Sequence, residues 1–189
     1  MGTNKALLDL DGCTVIERIA RMLLTLFPRV LIVTNTPVCP PGRPEDYGHL
    51  DLPVYRDLVS DYGPLGGIYT GLRVSEHFGN LFVPCDMPFI DEAHIRPLVE
   101  HRARADVVIY RHRKAEPLFG LYNQRCLPPI QEMIERGQRC PLDLFPMVRL
   151  RQLPCSERDV AFLNLNSMQD YHTALEIARG NRISYSHTH

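Results

Sequence analysis

An apolar run ending on a lone carboxylate constrains this chain more than any other feature. Within Asn80-Leu-Phe-Val-Pro-Cys-Asp-Met-Pro-Phe89, Leu81, Phe82 and Val83 read as a buried strand with Asp86 at its end. Pro88, which cannot donate to a ladder, stops the strand from continuing. A buried strand delivers its end to the open edge of a sheet, where ligands bind in α/β folds. A carboxylate there can hold a divalent cation. The plain structural alternative is that Asp86 turns the chain or caps a helix beginning near Glu92.

The rest of the chain alternates strands and helices around this segment. Ile16, Ile19, Ala20, Leu23, Leu24 and Phe27 recur at three- and four-residue intervals and predict an amphipathic helix over about Thr14 to Phe27. Val30 to Val33 follows as a strand, Pro37 to Pro44 as a surface loop, and Val54 to Arg56 as a short strand ending at Asp57. Gly63-Pro-Leu-Gly-Gly67 then leads into a helix from about Ile68 to His77. Further helices are expected over Glu92 to about Arg104, Gln124 to about Arg136 and Met168 to Arg179. Strands are expected over Val107 to Tyr110, Leu118 to Tyr122, Val148 to Leu153 and Ala161 to Leu163. Such alternation predicts an α/β fold with a mostly parallel sheet covered on both faces. At 189 residues one domain is expected, residues 1–180, with 181–189 as a flexible polar tail.

Composition narrows the class of function. With 21 Lys+Arg against 22 Asp+Glu, the net charge is −1, which gives no footprint for binding a nucleic-acid backbone. Small phosphorylated ligands remain compatible. The six cysteines contain no Cys-x-x-Cys pair and the eight histidines no metal-binding spacing, so neither a zinc site nor a disulfide framework is indicated. No apolar run reaches the ~18 residues of a membrane helix. The expectation is a cytoplasmic protein with reduced thiols and no membrane partner.

Several further residues are candidates for chemistry. Lys5 precedes the apolar Ala6-Leu7-Leu8; by itself it reads as a surface lysine. The glycines from Gly63 to Gly67 precede a helix, where free backbone N–H groups and the small residue let a ligand approach, although most glycine-rich turns are only turns. Asp57 reads alone as a surface acid, and Asn35 follows the strand ending at Val33. Asn164 and Asn166 flank Leu165, and in an extended segment would share a face. Asn166-Ser167 could equally cap the last helix.

Met1-Gly-Thr-Asn-Lys5, Asp57 with Gly63 to Gly67, Cys85-Asp-Met-Pro88, Glu116-Pro-Leu-Phe-Gly-Leu-Tyr122 and Asn164-Leu-Asn166 together resemble the molybdenum cofactor guanylyltransferases. The resemblance covers nearly the whole chain and implies a Rossmann-like, three-layer nucleotidyltransferase fold. It implies transfer of GMP from GTP to molybdenum-bearing molybdopterin, with pyrophosphate released. Asp86 would bind Mg²⁺ bridging the nucleotide phosphates, a hard cation that prefers carboxylate and phosphate oxygens, and Lys5 would contact the triphosphate. Asp57 and the loop from Gly63 would contact guanosine, and Asn164 and Asn166 would lie near metal and pterin. A phosphate monoester, with a second pKa near ~6, can attack without a general base. Implied partners are GTP, molybdenum-molybdopterin, and molybdenum-insertion proteins or molybdoenzyme chaperones. Two alternatives stay open: another nucleotidyltransferase, passing CMP to the pterin or a nucleotide to a sugar phosphate, and a non-catalytic relative that holds the pterin or docks a molybdoenzyme.

The resembled family opens with a strand and a Leu-Ala-Gly-Gly-x-Ser-x-Arg-Met-Gly loop, of which Met1 and Gly2 alone match here. A central strand missing from a doubly wound sheet leaves two rows of buried N–H and C=O groups unpaired, at ~1–3 kcal/mol each. The expectation is therefore an N-terminally incomplete form whose gene continues upstream in frame with that strand and loop, and which turns over little GTP until they are restored.

Overall fold

The computed structural model describes residues 4–35 and 47–185, with side chains described as far as Gly180. Met1, Gly2, the loop Pro37 to Pro44 and the last four residues of the expected tail lie outside the described residues. By contacts the chain forms two compact units, one of residues 1–29, 85–92 and 158–189, the other of residues 30–84 and 93–157.

The first unit is helical. A 3-10 turn at Lys5–Leu7 buries Ala6, and Asn4 caps it by accepting from the Ala6 N–H at 3.2 Å. Helix α1 (Val15–Leu26) starts on a capping box. The Thr14 hydroxyl accepts from the Glu17 N–H while the Glu17 carboxylate accepts from the Thr14 N–H, so two orphan donors of the first turn are satisfied reciprocally. Helix α5 (Met168–Tyr185) ends the described chain and runs five residues past Gly180. Its first turn is closed the same way: Asp170 N–H donates to Ser167 Oγ at 3.1 Å, and Ser167 N–H donates to Asp170 Oδ2 at 2.7 Å.

The second unit carries the sheets. Strands β1 (Ile32–Thr34) and β2 (Val54–Arg56) pair in parallel, Val33 opposite Tyr55. Strands β3 (Gly79–Phe82), β4 (Val107–Arg111), β5 (Ala115–Asn123) and β6 (Leu150–Pro154) form a second sheet in the order β3-β5-β4-β6. β5 is antiparallel to both neighbours while β4 and β6 are parallel. β3, β4 and β6 therefore share one direction, and β5 alone is reversed.

Each β4 residue faces the side its alternation dictates. Val107 and Ile109 join a core with Leu65, Ile68 and Leu72 of α2 (Gly63–Val74) and Ile130 and Met133 of α4 (Leu127–Glu135). Tyr110 points the other way, and its hydroxyl donates to the His94 carbonyl of α3 (Glu92–Glu100) at 3.0 Å. Helices thus cover both faces of this sheet, as expected. Three elements differ from the sequence-based expectation, one of them α5, which continues as helix over residues 181–185 where a flexible tail is expected. α2 begins at Gly63 rather than near Ile68, because Pro64 has its backbone angle preset for a first helical turn and Gly63 supplies the φ of +50° that the entry needs. Of Ala161 to Leu163, expected as a strand, Ala161 and Phe162 fall in a 3-10 turn (Val160–Phe162) that Leu163 ends, because Asp159 Oδ1 accepts from the Ala161 N–H at 3.1 Å and offers the backbone a local cap.

Among the described residues no helix is long and apolar enough to cross a membrane.

Candidate active site

Three segments far apart in sequence meet within the first unit. Lys5, the first residue of the N-terminal 3-10 turn, extends its Nζ to Asn166 Oδ1 at 2.7 Å, across 161 positions of chain. The same ammonium lies 3.6 Å from Asp86 Oδ2. The backbone reinforces the arrangement, since the Leu165 N–H donates to the Asp86 carbonyl at 2.9 Å. Asp86 is thus held at its main chain by the residue before Asn166, and at its carboxylate by the lysine that Asn166 holds. Both charged side chains stay accessible, at 31% exposure for Lys5 and 25% for Asp86. An ion pair this wet is worth only ~0–1 kcal/mol to the fold, so stability is not a sufficient reason for the pairing.

The loop bearing Asp86 is anchored from a second side. Arg18 of α1 donates through Nε to the Pro88 carbonyl at 3.0 Å, and its guanidinium lies over the Phe89 ring at 5.5 Å. Met87 and Ile90 beside it are buried. The carboxylate therefore projects from a loop whose neighbours are fixed in the core.

Asn164 and Asn166 do not share a face. The Asn166 N–H donates to the Asn164 carbonyl at 3.0 Å, closing a tight turn where the alternation argument assumed an extended chain. Asn166 consequently reaches Lys5, whereas the Asn164 amide turns back to the Phe162 carbonyl at 3.4 Å.

Asp57 and the glycine segment belong to the second unit. Asp57 follows β2, and its N–H donates to the Thr34 carbonyl at 3.0 Å. Burial pushes its carboxyl above the ordinary range, opposed by a hydrogen bond from buried Thr70, whose hydroxyl also accepts from the Leu58 N–H at 2.9 Å. Asp57 Oδ1 is buried with no hydrogen-bond partner. A missing partner for a buried carboxylate oxygen costs free energy, which suits an atom that accepts from a ligand. Gly63 to Gly67 form the first turn of α2, whose N-cap residue Tyr62 makes no side-chain cap bond, leaving that turn's donors without a side-chain acceptor at the cap. Asn35 stands exposed one residue beyond β1.

The sequence reading missed three residues that hold these groups and, as a fourth feature, an ion cluster elsewhere in the second unit. Arg18, Thr70 and Asp170 act through contacts that spacing does not announce, although Ser167-x-x-Asp170 carries the outline of a capping box. The fourth is a buried cluster in the second unit, where Asp106 accepts from Arg149 Nε and a terminal guanidinium nitrogen at 3.0 and 2.9 Å, from the Arg149 N–H at 3.1 Å and from Asn123 Nδ2 at 3.2 Å. The Arg149 hydrogen bonds hold its carboxyl well below the usual range.

A family model described as a MobA-like NTP transferase domain matches residues 1–151. The chain belongs to this family. It is a nucleotidyltransferase by that membership. A probable molybdenum cofactor guanylyltransferase of Carboxydothermus hydrogenoformans is 33% identical over 184 residues, 94% of this chain and 89% of the relative. A molybdenum cofactor guanylyltransferase of Desulfosudis oleivorans is 29% identical over 191 residues, 97% and 91% of the respective chains. Among solved structures, molybdopterin-guanine dinucleotide biosynthesis protein A of Archaeoglobus fulgidus matches with a TM-score of 0.76 at 21% identity, over 95% of this chain and 92% of that one. The 2-C-methyl-D-erythritol 4-phosphate cytidylyltransferase of Thermus thermophilus matches at 0.70 with 15% identity, over 94% and 95%. At such identities the structures speak for the fold, and it is the Rossmann-like nucleotidyltransferase fold expected from the sequence.

Proposed function

We propose that this protein transfers GMP from GTP to molybdenum-bearing molybdopterin, forming the guanine dinucleotide form of the cofactor and releasing pyrophosphate. Membership of the MobA-like NTP transferases supports the reaction class, and relatives named for guanylyl transfer support the substrates. The observation that carries the reading is the meeting of Lys5, Asp86 and Asn166 in one cluster.

A terminal phosphate oxygen of the pterin forms a bond to the α-phosphorus of GTP. The bond from that phosphorus to the bridging oxygen breaks, and its electron pair leaves with pyrophosphate. The attacking phosphate is already ionised near neutral pH, so no side chain has to take a proton. Catalysis rests on alignment and charge stabilisation. The Lys5 ammonium offsets charge on the leaving pyrophosphate, and Asn166 Oδ1 holds that ammonium in place. Asn164 lines the approach of the pterin.

Mg²⁺ fits the donors present. Among the described residues no three of His, Cys, Asp and Glu group as a cage, and a single accessible carboxylate suits a cation that takes one or two carboxylates and completes its shell with substrate phosphates and water. Asp86 would hold it, where it would supply charge neutralisation on the triphosphate.

Asp57 is assigned the base. Its carboxylate, with the partnerless Oδ1, accepts from the ring N–H and the amino group of guanine together, an adjacent pair of donors that adenine and cytosine do not present. The donors of the first turn of α2, beginning at Gly63, contact the nucleotide from the backbone. The test is thermal protection, which follows occupancy of the folded state. GTP with Mg²⁺ should raise the melting temperature more than ATP or CTP, and Asp57→Asn should erase the difference. Because it also removes a buried charge whose carboxyl is pushed up, that variant should melt no lower than the parent without nucleotide. Equal protection by all three nucleotides refutes guanine selectivity.

A further inference from the structure

The cluster around Lys5 continues one residue deeper into α5. One atom, Asp170 Oδ2, accepts three hydrogen bonds: from the Asn166 N–H at 3.1 Å, the Ser167 N–H at 2.7 Å and the Ser167 hydroxyl at 2.8 Å. The Asp170 N–H returns a bond to Ser167 Oγ at 3.1 Å. A capping box needs only the reciprocal pair between Ser167 and Asp170. The additional bond to the Asn166 N–H goes outside the helix, to the residue whose side chain holds Lys5. The same Asn166 N–H is shared with the Asn164 carbonyl at 3.0 Å. This one bifurcated donor ties the backbone of Asn166 both to the turn before it and to the cap after it, and so places its Oδ1. The structure gives Asp170 no hydrogen bond to Lys5; the Ser167 hydrogen bonds chiefly hold its carboxyl below the ordinary range, and the nearby Lys5 ammonium adds to this.

We infer that Asp170 is a positioning residue for nucleotidyl transfer, setting Lys5 beside Asp86 through the backbone of Asn166 and Ser167. The inference rests on the assignment of Lys5 to the triphosphate. Its consequence is that the cap of the last helix and the placement of the phosphate-binding ammonium are one device. A displacement of a group by about 1 Å can cost ~10²-fold in rate, so a remote cap can govern an active lysine. Ser167 shares the role, since its hydroxyl bonds Asp170 in both directions.

The chain offers a direct assay, because Lys5 and Lys114 are its only lysines. Acylation of each by a limiting amine reagent is followed by peptide mass spectrometry, with Lys114 as internal reference for folding and reagent. An ammonium held by Asn166 and Asp86 reacts slowly. In Asp170→Ala the Lys5 rate should rise about fivefold relative to Lys114, the factor that one net hydrogen bond of about 1 kcal/mol is worth. Asp170→Glu, which restores a capping box with the longer acid, should return the rate towards that of the parent. A fold-wide role alone would not move Lys5 against Lys114. Asp170→Asn, which drops the charge that Lys5 senses but keeps an acceptor oxygen, should leave the ratio near the parent's; a ratio as high as in Asp170→Ala would mean that charge and not position governs Lys5. An unchanged Lys5-to-Lys114 ratio in Asp170→Ala, or a raised ratio that Asp170→Glu fails to lower, overturns the inference. The parallel measurement with GTP and Mg²⁺ separates this from the functional reading. Slower Lys5 acylation with nucleotide supports the triphosphate assignment. No slowing in the parent removes that assignment, and with it the inferred role in transfer, even where the cap still governs the lysine.

Discussion

Two glycines of α2, four residues apart, should respond to the same substitution with opposite signs. At Gly71 a Cβ would stand 2.5 and 2.9 Å from two ring carbons of Phe82, closer than real Cβ contacts allow. The ring cannot yield freely, because it packs edge-on against Tyr122 at a centroid distance of 5.4 Å and an interplanar angle of 88°, and Tyr122 is fully buried. At Gly67 the nearest atom is Asp57 Oδ1 at 4.0 Å, an ordinary contact. Replacing glycine by alanine inside a helix gains about 1 kcal/mol at either position, so that gain cancels in the comparison. What remains is the overpacking at Gly71, about 1–3 kcal/mol. For a chain of this size each kcal/mol moves the melting temperature by ~2–4 °C. A difference of 2 kcal/mol therefore places Gly71→Ala about 4–8 °C below Gly67→Ala, with Gly67→Ala at or above the parent. Calorimetry and urea titration of the three proteins decide it. Coincident melting temperatures would mean that α2 does not lie against β3 through Gly71, and the packing argument would fall. Gly67→Ala carries a second readout, since a methyl beside Asp57 Oδ1 should weaken GTP binding while the fold gains stability.

Two further outcomes follow from charge. Asp106 has its carboxyl held low by Arg149, so its contribution to stability is complete above the unfolded carboxylate value near ~3.9 and is lost progressively as pH falls from there towards the much lower folded value; Asp106→Asn should be less stable than the parent at pH 7, and the gap should narrow on acidification below about pH 4, whereas a gap independent of pH contradicts the assignment. Lys5→Ala should slow guanylyl transfer without changing the melting temperature by more than about 4 °C, the most that an accessible ion pair implies; an unchanged rate returns Lys5 to ordinary surface.

The sequence and the structure agree where local chemistry decides the outcome. The short strand expected at Val54 to Arg56 and the apolar run Val107 to Tyr110 are strands at those positions, and the periodicity after Thr14 is α1. Disagreement follows competition between local signals. Glycine-rich Gly63 to Gly67 reads as a turn by composition, yet Pro64 and the apolar contacts of Leu65 commit it to helix. Asp159 converts an apolar triplet into a 3-10 turn. Pairing across distance was legible only through resemblance: nothing in spacing brings Lys5 to Asn166, and the resemblance named both without naming the contact. Asp106 and Arg149, 43 positions apart, carried no signal at all, because an acid before a strand and an arginine before another look like ordinary surface. The tight turn at Asn164 to Asn166 was hidden for a related reason, since the alternation rule holds only where the backbone is extended.

The measurement that bears most directly on the account is pyrophosphate release by the full product of the gene, incubated with GTP, Mg²⁺ and molybdenum-loaded molybdopterin. Release should require the pterin, should match the guanine dinucleotide formed, and should fall at least ~10²-fold in Asp86→Ala while that variant keeps the parent's melting temperature. Release that persists undiminished in Asp86→Ala at saturating Mg²⁺, or that proceeds equally without the pterin, would contradict the account.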